Sequence, residues 1–324
     1  MNKALGARDG DAIAPDSKLT VGIIGTLDVR RGGERLDSRA LGGPKCRQVL
    51  EILLLHLGRP VSKSLLIDLL WDGKPPHAAL ATLESYVSVL RRRLQPGMGK
   101  SGPLKTTTGG YLVDRDWVDL DLDRFEALVR AAEHLEPCRT YALLCEALEL
   151  ATAPLLGDEF LQGWAENERA FHASRVRGAR VLAAETALRL GKTDEAIGWA
   201  HSALATEALD ESAWTVLVLS LEQSGHPIEG LRTYENCRRL LDQELGCAPG
   251  PLLRDAQARM LRSTADGASE FGEVLAALLT LQQRIGGPGT AATMAAGPCA
   301  PARDSCEAAG TVVRRYLRRA LAVA

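Results

Sequence analysis

Residues 75–95 read PPHAALATLESYVSVLRRRLQ, and the spacing of their large apolar side chains decides the fold of the front of the chain. An α-helix turns about 100° per residue, so apolar positions at i, i+4, i+7 and i+11 align along one stripe. Four residues follow this spacing: Leu83, Val87, Leu90 and Leu94. The stretch Pro75–Gln95 is therefore predicted to be a helix that buries this stripe in a core.

The opposite side of this helix lacks the dense Glu and Lys cover of an ordinary solvated face. It carries small side chains, hydroxyls and one cation: Ala78, Ala81, Ser85, Ser88 and Arg92, with Thr82 and Val89 at its edges. Such a surface can approach a phosphate-walled groove closely, which would place the run Arg91-Arg92-Arg93 near the sugar–phosphate rim. The alternative is a plain surface helix, because the dipole at a helix C-terminus also favours basic residues.

The flanking sequence predicts the elements around this helix. Residues 45–57 have a helical pattern that Gly58 ends, and Ser62 is predicted to N-cap a second helix that runs to Trp71. Short β-prone runs on either side of Thr108-Gly109-Gly110 predict a hairpin, and two strands are expected within residues 19–30. Three helices between an N-terminal sheet and a hairpin describe a winged helix-turn-helix. In that fold one helix enters the DNA major groove and the hairpin, or wing, touches backbone or minor groove.

The charge of the chain is divided unevenly. The total is −2, but residues 18–115 hold 16 Lys and Arg against 8 Asp and Glu, and residues 116–324 hold 21 against 30. A basic front is what a polyanionic partner requires. The near-neutral total therefore conceals a basic first part and an acidic remainder.

The rest of the chain is predicted to be almost wholly helical. After an acidic connector at residues 116–123, helical patterns cover residues 125–134, 139–151, 165–190, 193–205, 211–223, 227–245 and 251–261. The segments LRLGKTDEAIGWA and EQSGHPIEGLRTY align with Gly191 on Gly225, an offset of 34 residues. That is the period of tetratricopeptide helix pairs, so this part is predicted to be tetratricopeptide-like, with generic helix hairpins as the alternative.

Several strings in these segments resemble the Streptomyces antibiotic regulatory protein (SARP) family of transcriptional activators. They are LGGPKCRQVLEILLLHLGRPVS, LIDLLWDGKPP, TLESYVSVLRRRL and TTTGGYLVD in the first part, then DRFEAL, PLLGDEF, WAENE, LRLGKTDEAI and RRLLDQELGCAPGPLLRDAQARML. The resemblance covers residues 19–263 and implies an OmpR-type winged helix followed by an all-helical, tetratricopeptide-like bacterial transcriptional activator domain. It also implies activation of secondary-metabolite gene clusters. Two positions depart from the family pattern, Val89 where relatives often carry Arg and Glu84 where Gln is usual.

The overall fold class is thus mainly α, with a small β-sheet and wing in the DNA-binding part. We expect a disordered N-terminus at residues 1–17, an OmpR-type winged helix at 18–115 and the activator domain at 116–264. An extra helix is expected at residues 265–285 and a flexible tail at 286–324, whose basic ending TVVRRYLRRALAVA could also bind nucleic acid or anionic lipid.

Other function classes find little support in the sequence. The seven cysteines form no CxxC pair, the histidines make no metal-binding motif, and Gly42-Gly43-Pro44-Lys45 lacks the GxxxxGK[ST] spacing of a phosphate loop. We expect no enzyme activity, no catalytic residues, no cofactor and no metal. The polar N-terminus and the absence of a long apolar run predict a cytoplasmic protein without a membrane partner.

The expected DNA-binding residues fall into three groups. Thr82, Ser85, Ser88 and Arg92 are assigned to the groove, Tyr86 and Arg91 to phosphates, and Lys105, Thr106, Thr107 and Thr108 to backbone contacts by the wing. Tyr111 is expected to pack its ring under the hairpin. One winged helix reads only a few base pairs. The resemblance therefore implies a homodimer on double-stranded DNA with direct repeats about one helical turn apart, head to tail, and RNA polymerase holoenzyme with its sigma factor as partner. A helical-repeat adaptor whose winged helix contacts protein, and a repressor with the same fold, are the alternatives.

Overall fold

The computed structural model describes residues 18–36, 40–99, 101–158 and 163–264. These residues fall into two compact units, one on each side of the boundary between Ala208 and Leu209. The predicted N-terminal extension, the extra helix at 265–285 and the tail at 286–324 lie outside the described residues. Among the described helices, none is both long enough and apolar enough to cross a membrane.

The first unit begins with a four-stranded sheet. Its strands are β1 (Leu19–Gly22), β2 (Asp28–Arg31), β3 (Glu34–Leu36) and β7 (Val118–Leu120), in the order β3-β2-β1-β7. Strand β7 runs parallel to β1 and follows a single 3₁₀ turn at Arg115–Trp117. The prediction of an acidic connector at 116–123 is therefore wrong. Val118 and Leu120 point into the core while Asp119 is exposed, which is the two-residue period of a strand.

Three helices follow the strands β1–β3. They are α1 (Pro44–Leu55), α2 (Lys63–Trp71) and α3 (Ala79–Leu94). The hydroxyl of Ser62 accepts a 3.1 Å hydrogen bond from the backbone N–H of Leu65, which confirms the predicted N-cap of α2. Helix α3 begins four residues later than predicted, because the two prolines at 75 and 76 precede a turn at His77 and Ala78. The predicted apolar stripe of α3 is fully buried, as expected.

The wing belongs to a second, three-stranded sheet. Strands β5 (Leu104–Thr107) and β6 (Gly110–Val113) form the predicted hairpin around Thr108-Gly109, and the short strand β4 (Val61–Ser62) pairs with β6 on its other side. Gly109 has a φ of 85°, a conformation that L side chains rarely adopt. At Gly110 a Cβ would collide with the backbone carbonyl of Val61, so the close β4–β6 pairing requires glycine there.

Four further helices complete the first unit. They are α4 (Asp121–Ala131), α5 (Pro137–Leu150), α6 (Gly163–Arg189) and α7 (Thr193–Leu204). In their core, the large ring of Phe125 packs among smaller buried side chains such as Ala147 and Ala183. Small buried residues let helices approach closely, which is how helical pairs of this kind pack.

A short extended segment joins these helices to the N-terminal sheet. The N–H of Gly25 donates to the carbonyl of Pro154 (2.8 Å), and the N–H of Leu156 donates to the carbonyl of Ile23 (2.8 Å). The carboxylate of Asp121, at the start of α4, accepts hydrogen bonds of 3.0 Å from the N–H groups of Ile23 and Ile24. The winged helix and α4–α7 are therefore connected by backbone as well as by side-chain bonds.

The second unit contains α8 (Glu211–Gln223), α9 (Pro227–Leu245) and a helix α10 at residues 251–264. Tyr234 and Cys237 of α9 pack against Leu253 and Met260 of α10. Gly230 faces the Met260 sulfur so closely that a Cβ would collide with it. The glycine therefore allows α9 and α10 to pack in contact.

The repeat predicted from Gly191 and Gly225 is visible in the backbone. Gly191 ends α6 with a φ of 73° and Gly225 ends α8 with a φ of 79°. The residue after each glycine donates a 2.9 Å hydrogen bond to a carbonyl five residues earlier, from Lys192 to Ala187 and from His226 to Leu221. This is the Schellman pattern of a helix C-terminus. The α6–α7 and α8–α9 pairs thus turn in the same way, as the tetratricopeptide-like prediction requires.

Candidate nucleic-acid interface

One face of α3 is exposed and almost free of bulky groups. Ala81, Ser85, Ser88 and Arg92 are exposed on it, in agreement with the face expected from the periodicity. Thr82 is half-buried at its edge and donates its hydroxyl hydrogen to the carbonyl of Ala78 (2.9 Å), which leaves its oxygen able to accept. The face presents hydroxyls and methyl groups, which suits close contact with base edges.

Two of the three arginines at the end of α3 are exposed. Within the described part of the chain, no hydrogen bond or ion pair holds the side chain of Arg92 or Arg93. The Arg31 guanidinium, from β2, donates a 2.8 Å hydrogen bond to the backbone carbonyl of Arg93. A cation at this position stabilises the negative end of the helix dipole, so the sheet anchors the C-terminus of α3.

Arg91, the third arginine, turns towards the wing. Its Nε donates to the carbonyl of Leu104 (3.1 Å) and its Nη2 donates to the hydroxyl of Thr106 (2.6 Å). The guanidinium carbon also lies 5.9 Å from the centre of the Tyr111 ring. Arg91 and Thr106 were both predicted to contact phosphate. In the structure they are hydrogen-bonded to each other. Arg91 positions the wing against α3.

Tyr111 is buried under the hairpin, as expected, and a second cation lies over its ring. The Lys63 ammonium, at the start of α2, is 5.7 Å from the ring centre and donates a 2.7 Å hydrogen bond to the carboxylate of Glu84 on α3. This hydrogen bond raises the pKa of Lys63 above its ordinary value. The Tyr111 ring is therefore within 6 Å of one cation from α2 and one from α3. Glu84, which departs from the family pattern, has an intramolecular partner.

The other predicted wing residues have different surroundings. The Lys105 ammonium donates to the carboxylate of Asp114 and lowers the pKa of that carboxyl. The hydroxyl of Thr107 is buried and has no hydrogen-bond partner among the described residues. Thr108 is exposed at the tip of the hairpin, beside Gly109. Of these three positions, the structure presents Thr108 most openly.

Tyr86 and Val89 flank the exposed face and are half-buried, because both pack against the core of the winged helix. Val89 lies over the turn before α1, so closely that a Cβ on Gly42 would come within 2.5 Å of a Val89 methyl group. Gly42 has a φ of 94°. The side chain at position 89 thus serves packing between α3 and the start of α1, and the Tyr86–phosphate contact stays a prediction.

Sequence reasoning missed the residues that hold α3 in place. Lys63 and Arg31 were not assigned a role, Glu84 was noted only as a departure from the family pattern, and the partners of Arg91 were not predicted. A single signal was available for Lys63 and Glu84, since they are opposite charges on two helices of a helix-turn-helix. No local pattern could connect Arg31 with Arg93, which lie 62 positions apart.

The architecture defines a class of protein: a winged helix-turn-helix regulator that carries a tetratricopeptide-like helical domain. Residues 38–113 match the family model described as "Transcriptional regulatory protein, C terminal", and residues 120–261 match the "Bacterial transcriptional activator domain". Within the described residues, no three His, Cys, Asp or Glu side chains gather as metal ligands would.

Curated relatives identify the family. The chain is 36% identical over 257 residues to the "Regulatory protein AfsR" of Streptomyces coelicolor. The aligned region covers 76% of this chain and 24% of AfsR. It is 31% identical over 259 residues to the "Regulatory protein DnrI" of Streptomyces peucetius, covering 76% of this chain and 93% of DnrI. The chain therefore belongs to the SARP family of transcriptional regulators. It spans about a quarter of the length of the AfsR proteins.

A solved structure has the same fold. "Mycobacterium tuberculosis EmbR in complex with low affinity phosphopeptide" matches with a TM-score of 0.68 at 24% identity, over 93% of this chain and 72% of the EmbR chain. At this identity the match supports the fold, a winged helix followed by a helical domain. The phosphopeptide is a ligand of EmbR.

Proposed function

We propose that this protein is a sequence-specific DNA-binding transcriptional activator. The observation that carries the proposal is the exposed face of α3, with Ser85, Ser88 and Arg92 on one side of a helix whose other side is fully buried. A helix of this shape can enter the major groove without displacing bulky side chains. The basic character of residues 18–115 supports a polyanionic partner.

The four groove residues and the wing have separate roles in this proposal. Thr82, Ser85, Ser88 and Arg92 read base edges, and an arginine suits the two acceptors of guanine. Arg91 acts through the wing, which it holds against α3. Thr108 and the neighbouring backbone N–H groups contact phosphate oxygens, and such contacts set the register without reading sequence.

Two copies are proposed to bind direct repeats about one helical turn apart, so that both recognition helices lie on one face of the DNA. A head-to-tail homodimer on DNA follows from direct rather than inverted repeats. The support is the limited reach of a single winged helix and the family to which the chain belongs.

The helical part is proposed to contact RNA polymerase holoenzyme, including its sigma factor, at promoters of a secondary-metabolite gene cluster. Residues 116–324 are acidic, with 21 basic and 30 acidic residues, and a polyanion repels such a surface. Helical repeats offer extended surfaces for protein partners. The name of the family supports antibiotic biosynthesis as the regulated pathway.

DNA binding is tested by selection of a randomised duplex pool with the full-length chain, followed by fluorescence anisotropy on the enriched sequence. We expect enrichment of two direct repeats, and an insertion of about half a helical turn between them should abolish cooperative binding. An absence of enrichment over a pool incubated without protein would favour the adaptor alternative. Inverted repeats, or indifference to the insertion, would overturn the head-to-tail arrangement.

Activation is tested by transcription with purified polymerase from a promoter that carries the selected site. Full-length protein should increase the transcript, whereas a decrease would show a repressor. A fragment that ends at residue 208 should retain the operator affinity, because it keeps Asp121 and the Pro154–Gly157 segment bonded to the sheet. The same fragment should lose much of the stimulation if α8–α10 contribute to polymerase contact.

A further inference from the structure

A cavity of about 390 Å³ lies in the first unit, beside the middle of α6. One wall is the segment that follows α5, and the other is a face of α6 with the end of α7. The lining includes Pro154, Leu155, Ala173, Val176 and Thr206. Small-molecule sites in proteins begin at about 300 Å³, so the cavity is large enough for a compact organic ligand.

The charged side chains among the described residues of this cavity are all cationic. Arg169 and Arg180 line it, and no Asp or Glu is among the described residues that line it. Arg180 is held by the Ser202 carbonyl (3.2 Å) and the Thr206 hydroxyl (3.0 Å), both through Nη1. Arg169 donates to the carbonyl of Leu156 (3.3 Å). The two guanidinium groups are thus fixed at the edge of an otherwise apolar cavity.

His172 supplies a second, independent sign of a ligand. Its side chain is 3% exposed, it lines the cavity, and neither ring nitrogen has a hydrogen-bond partner among the described residues. A buried polar group without a partner costs about 1–3 kcal/mol, so such groups are rare in folded proteins. The ring packs edge-on against Phe125, with 5.1 Å between ring centres. A bound molecule with a polar atom would satisfy the imidazole.

A neighbouring cavity of about 400 Å³ is less selective. It also reaches His172, but its lining mixes cations such as Arg59 and Arg115 with the carboxylates of Asp123, Glu126 and Glu168. Mixed charge at close range favours internal ion pairs, such as the 2.8 Å pair of Arg115 with Asp123. The first cavity, whose described charged residues are all cationic, is therefore the one that favours an anionic ligand.

We propose that the cavity beside α6 binds a small, largely apolar molecule that carries one anionic group. The apolar body lies against Leu155 and Val176, and the anion receives hydrogen bonds from the guanidinium groups of Arg169 and Arg180. An N–H of the His172 ring donates to the ligand or one of its nitrogens accepts from it. Charge-assisted hydrogen bonds to fixed arginines make the anion the determinant of specificity.

The position of the site couples the ligand to the DNA-binding part. Pro154 lines the cavity and accepts the hydrogen bond from Gly25, and Leu156, which donates to Ile23, also accepts the bond from Arg169. A ligand that fills the cavity therefore stabilises the segment that attaches α4–α7 to the N-terminal sheet. The site offers a means by which a metabolite could regulate the activator, although its existence does not rest on DNA binding.

The test uses two fluorescent probes that differ only in the anionic sulfonate group, 1-anilinonaphthalene-8-sulfonate and the uncharged N-phenyl-1-naphthylamine, each titrated into the full-length protein. We expect one saturable site with the sulfonate bound at least about tenfold more tightly, the factor that a charge-assisted hydrogen bond provides. Arg180→Gln should remove that preference, whereas Arg177→Gln, the same loss of charge outside the lining, should retain it. Equal affinity of the native protein for both probes would overturn the anionic class.

A blocking variant tests the location without touching a buried residue. Ala173 is exposed at the mouth of the cavity, and its neighbour Ser174 is exposed on the same helix outside the lining. Ala173→Leu should reduce sulfonate affinity at least about tenfold while Ser174→Leu leaves it unchanged, with circular dichroism confirming both folds. Saturating sulfonate should also slow amide hydrogen exchange at Gly25 and Leu156. Native-like affinity in Ala173→Leu would place the probe elsewhere and overturn the site.

Discussion

The Arg91 guanidinium donates a 2.6 Å hydrogen bond to the Thr106 hydroxyl, which ties α3 to the first strand of the wing. A second bond from the same side chain reaches the Leu104 carbonyl (3.1 Å). The two elements that we propose to contact DNA, α3 and the wing, are thus held together by one residue. The position of α3 relative to the wing is therefore already fixed in the free protein. Fewer side chains and less of the wing need to become ordered when a ligand binds.

Loss of the Arg91–Thr106 bond should weaken DNA binding through the wing. Arg91→Gln and Thr106→Val should each reduce operator affinity and speed amide exchange in β5. A double-mutant cycle should show a coupling of about 0.5–3 kcal/mol, because both changes remove the same interaction. Thr106→Val removes the hydroxyl acceptor of Arg91 but keeps every charge. It therefore separates the role of Arg91 in positioning the wing from a direct contact of Arg91 with phosphate. Additive effects would instead assign Arg91 to phosphate.

Arg92 should contribute to sequence discrimination and Arg93 only to charge. Arg92→Ala is expected to cost about 1–3 kcal/mol on the selected site and to relax the preference at one base pair. Arg93→Ala removes the same charge from the next residue and is the matched control. Anisotropy titrations on the selected site and on single-base variants make the comparison. Identical profiles for the two variants would leave Arg92 without a base contact.

The tip of the wing should meet the DNA backbone. Thr108→Glu places a negative charge on the exposed turn and should weaken selected and random DNA alike, because phosphates repel it regardless of sequence. Thr108→Gln has nearly the same shape without the charge and should bind almost normally. The salt dependence of affinity provides the measurement. Unchanged affinity of Thr108→Glu would show that the tip stays away from DNA.

Asp121 should be important for the stability of the first unit. Its two carboxylate oxygens accept from the N–H groups of Ile23, Ile24 and Leu122. In Asp121→Asn an NH₂ group must face one of these donors, so we expect a loss of about 1–3 kcal/mol in the free energy of unfolding. Asp119→Asn, on the exposed face of β7, should change it by less than about 0.5 kcal/mol. Urea denaturation of both variants tests the difference.

The buried imidazole of His172 should make the first unit sensitive to acid. Burial, with a smaller contribution from the nearby Arg175 cation, lowers the pKa of His172 from 6.5 to about 4. Between these values the unfolded chain binds the proton and the folded chain does not, so stability falls as the pH drops through this range.

His172→Phe removes that proton uptake and should flatten the decline between pH 6.5 and pH 4.5 by about 2 kcal/mol. His201→Phe, on the exposed side of α7, should retain the native decline. Urea denaturation at a series of pH values measures both slopes. A native-like slope in His172→Phe would assign the acid sensitivity to another group.

The exposed and buried faces of α3 were predictable from the order of residues alone. Helical periodicity is a local property: Leu83, Val87, Leu90 and Leu94 must share a side of any helix, and Ser85 and Ser88 must lie opposite. The wing was predictable for a similar reason, since Gly109 and Gly110 permit a tight turn between two β-prone runs. The 34-residue offset between Gly191 and Gly225 likewise predicted that the two glycines end equivalent helices.

Interactions between distant residues depended on the tertiary structure. Strand β7 joins β1 across about a hundred residues of chain, and its three residues are too short for a reliable periodic signal. Arg91 reads as one of three equivalent cations in sequence, yet its position on the helix directs it to the wing while Arg92 faces away. Which of several like residues finds a partner depends on how elements pack, and no local pattern encodes that.

The sequence by itself determined which segments are helices, which face of α3 is apolar, and where the turns between paired helices fall, because these follow from short-range periodicity and backbone preference. Only the tertiary structure decided that Asp121 caps the end of β1, that Lys63 and Arg91 both approach the Tyr111 ring, and that His172 is buried with no hydrogen-bond partner among the described residues. Each of these features depends on burial and on distances between separate elements, which are set when the helices and sheets pack together.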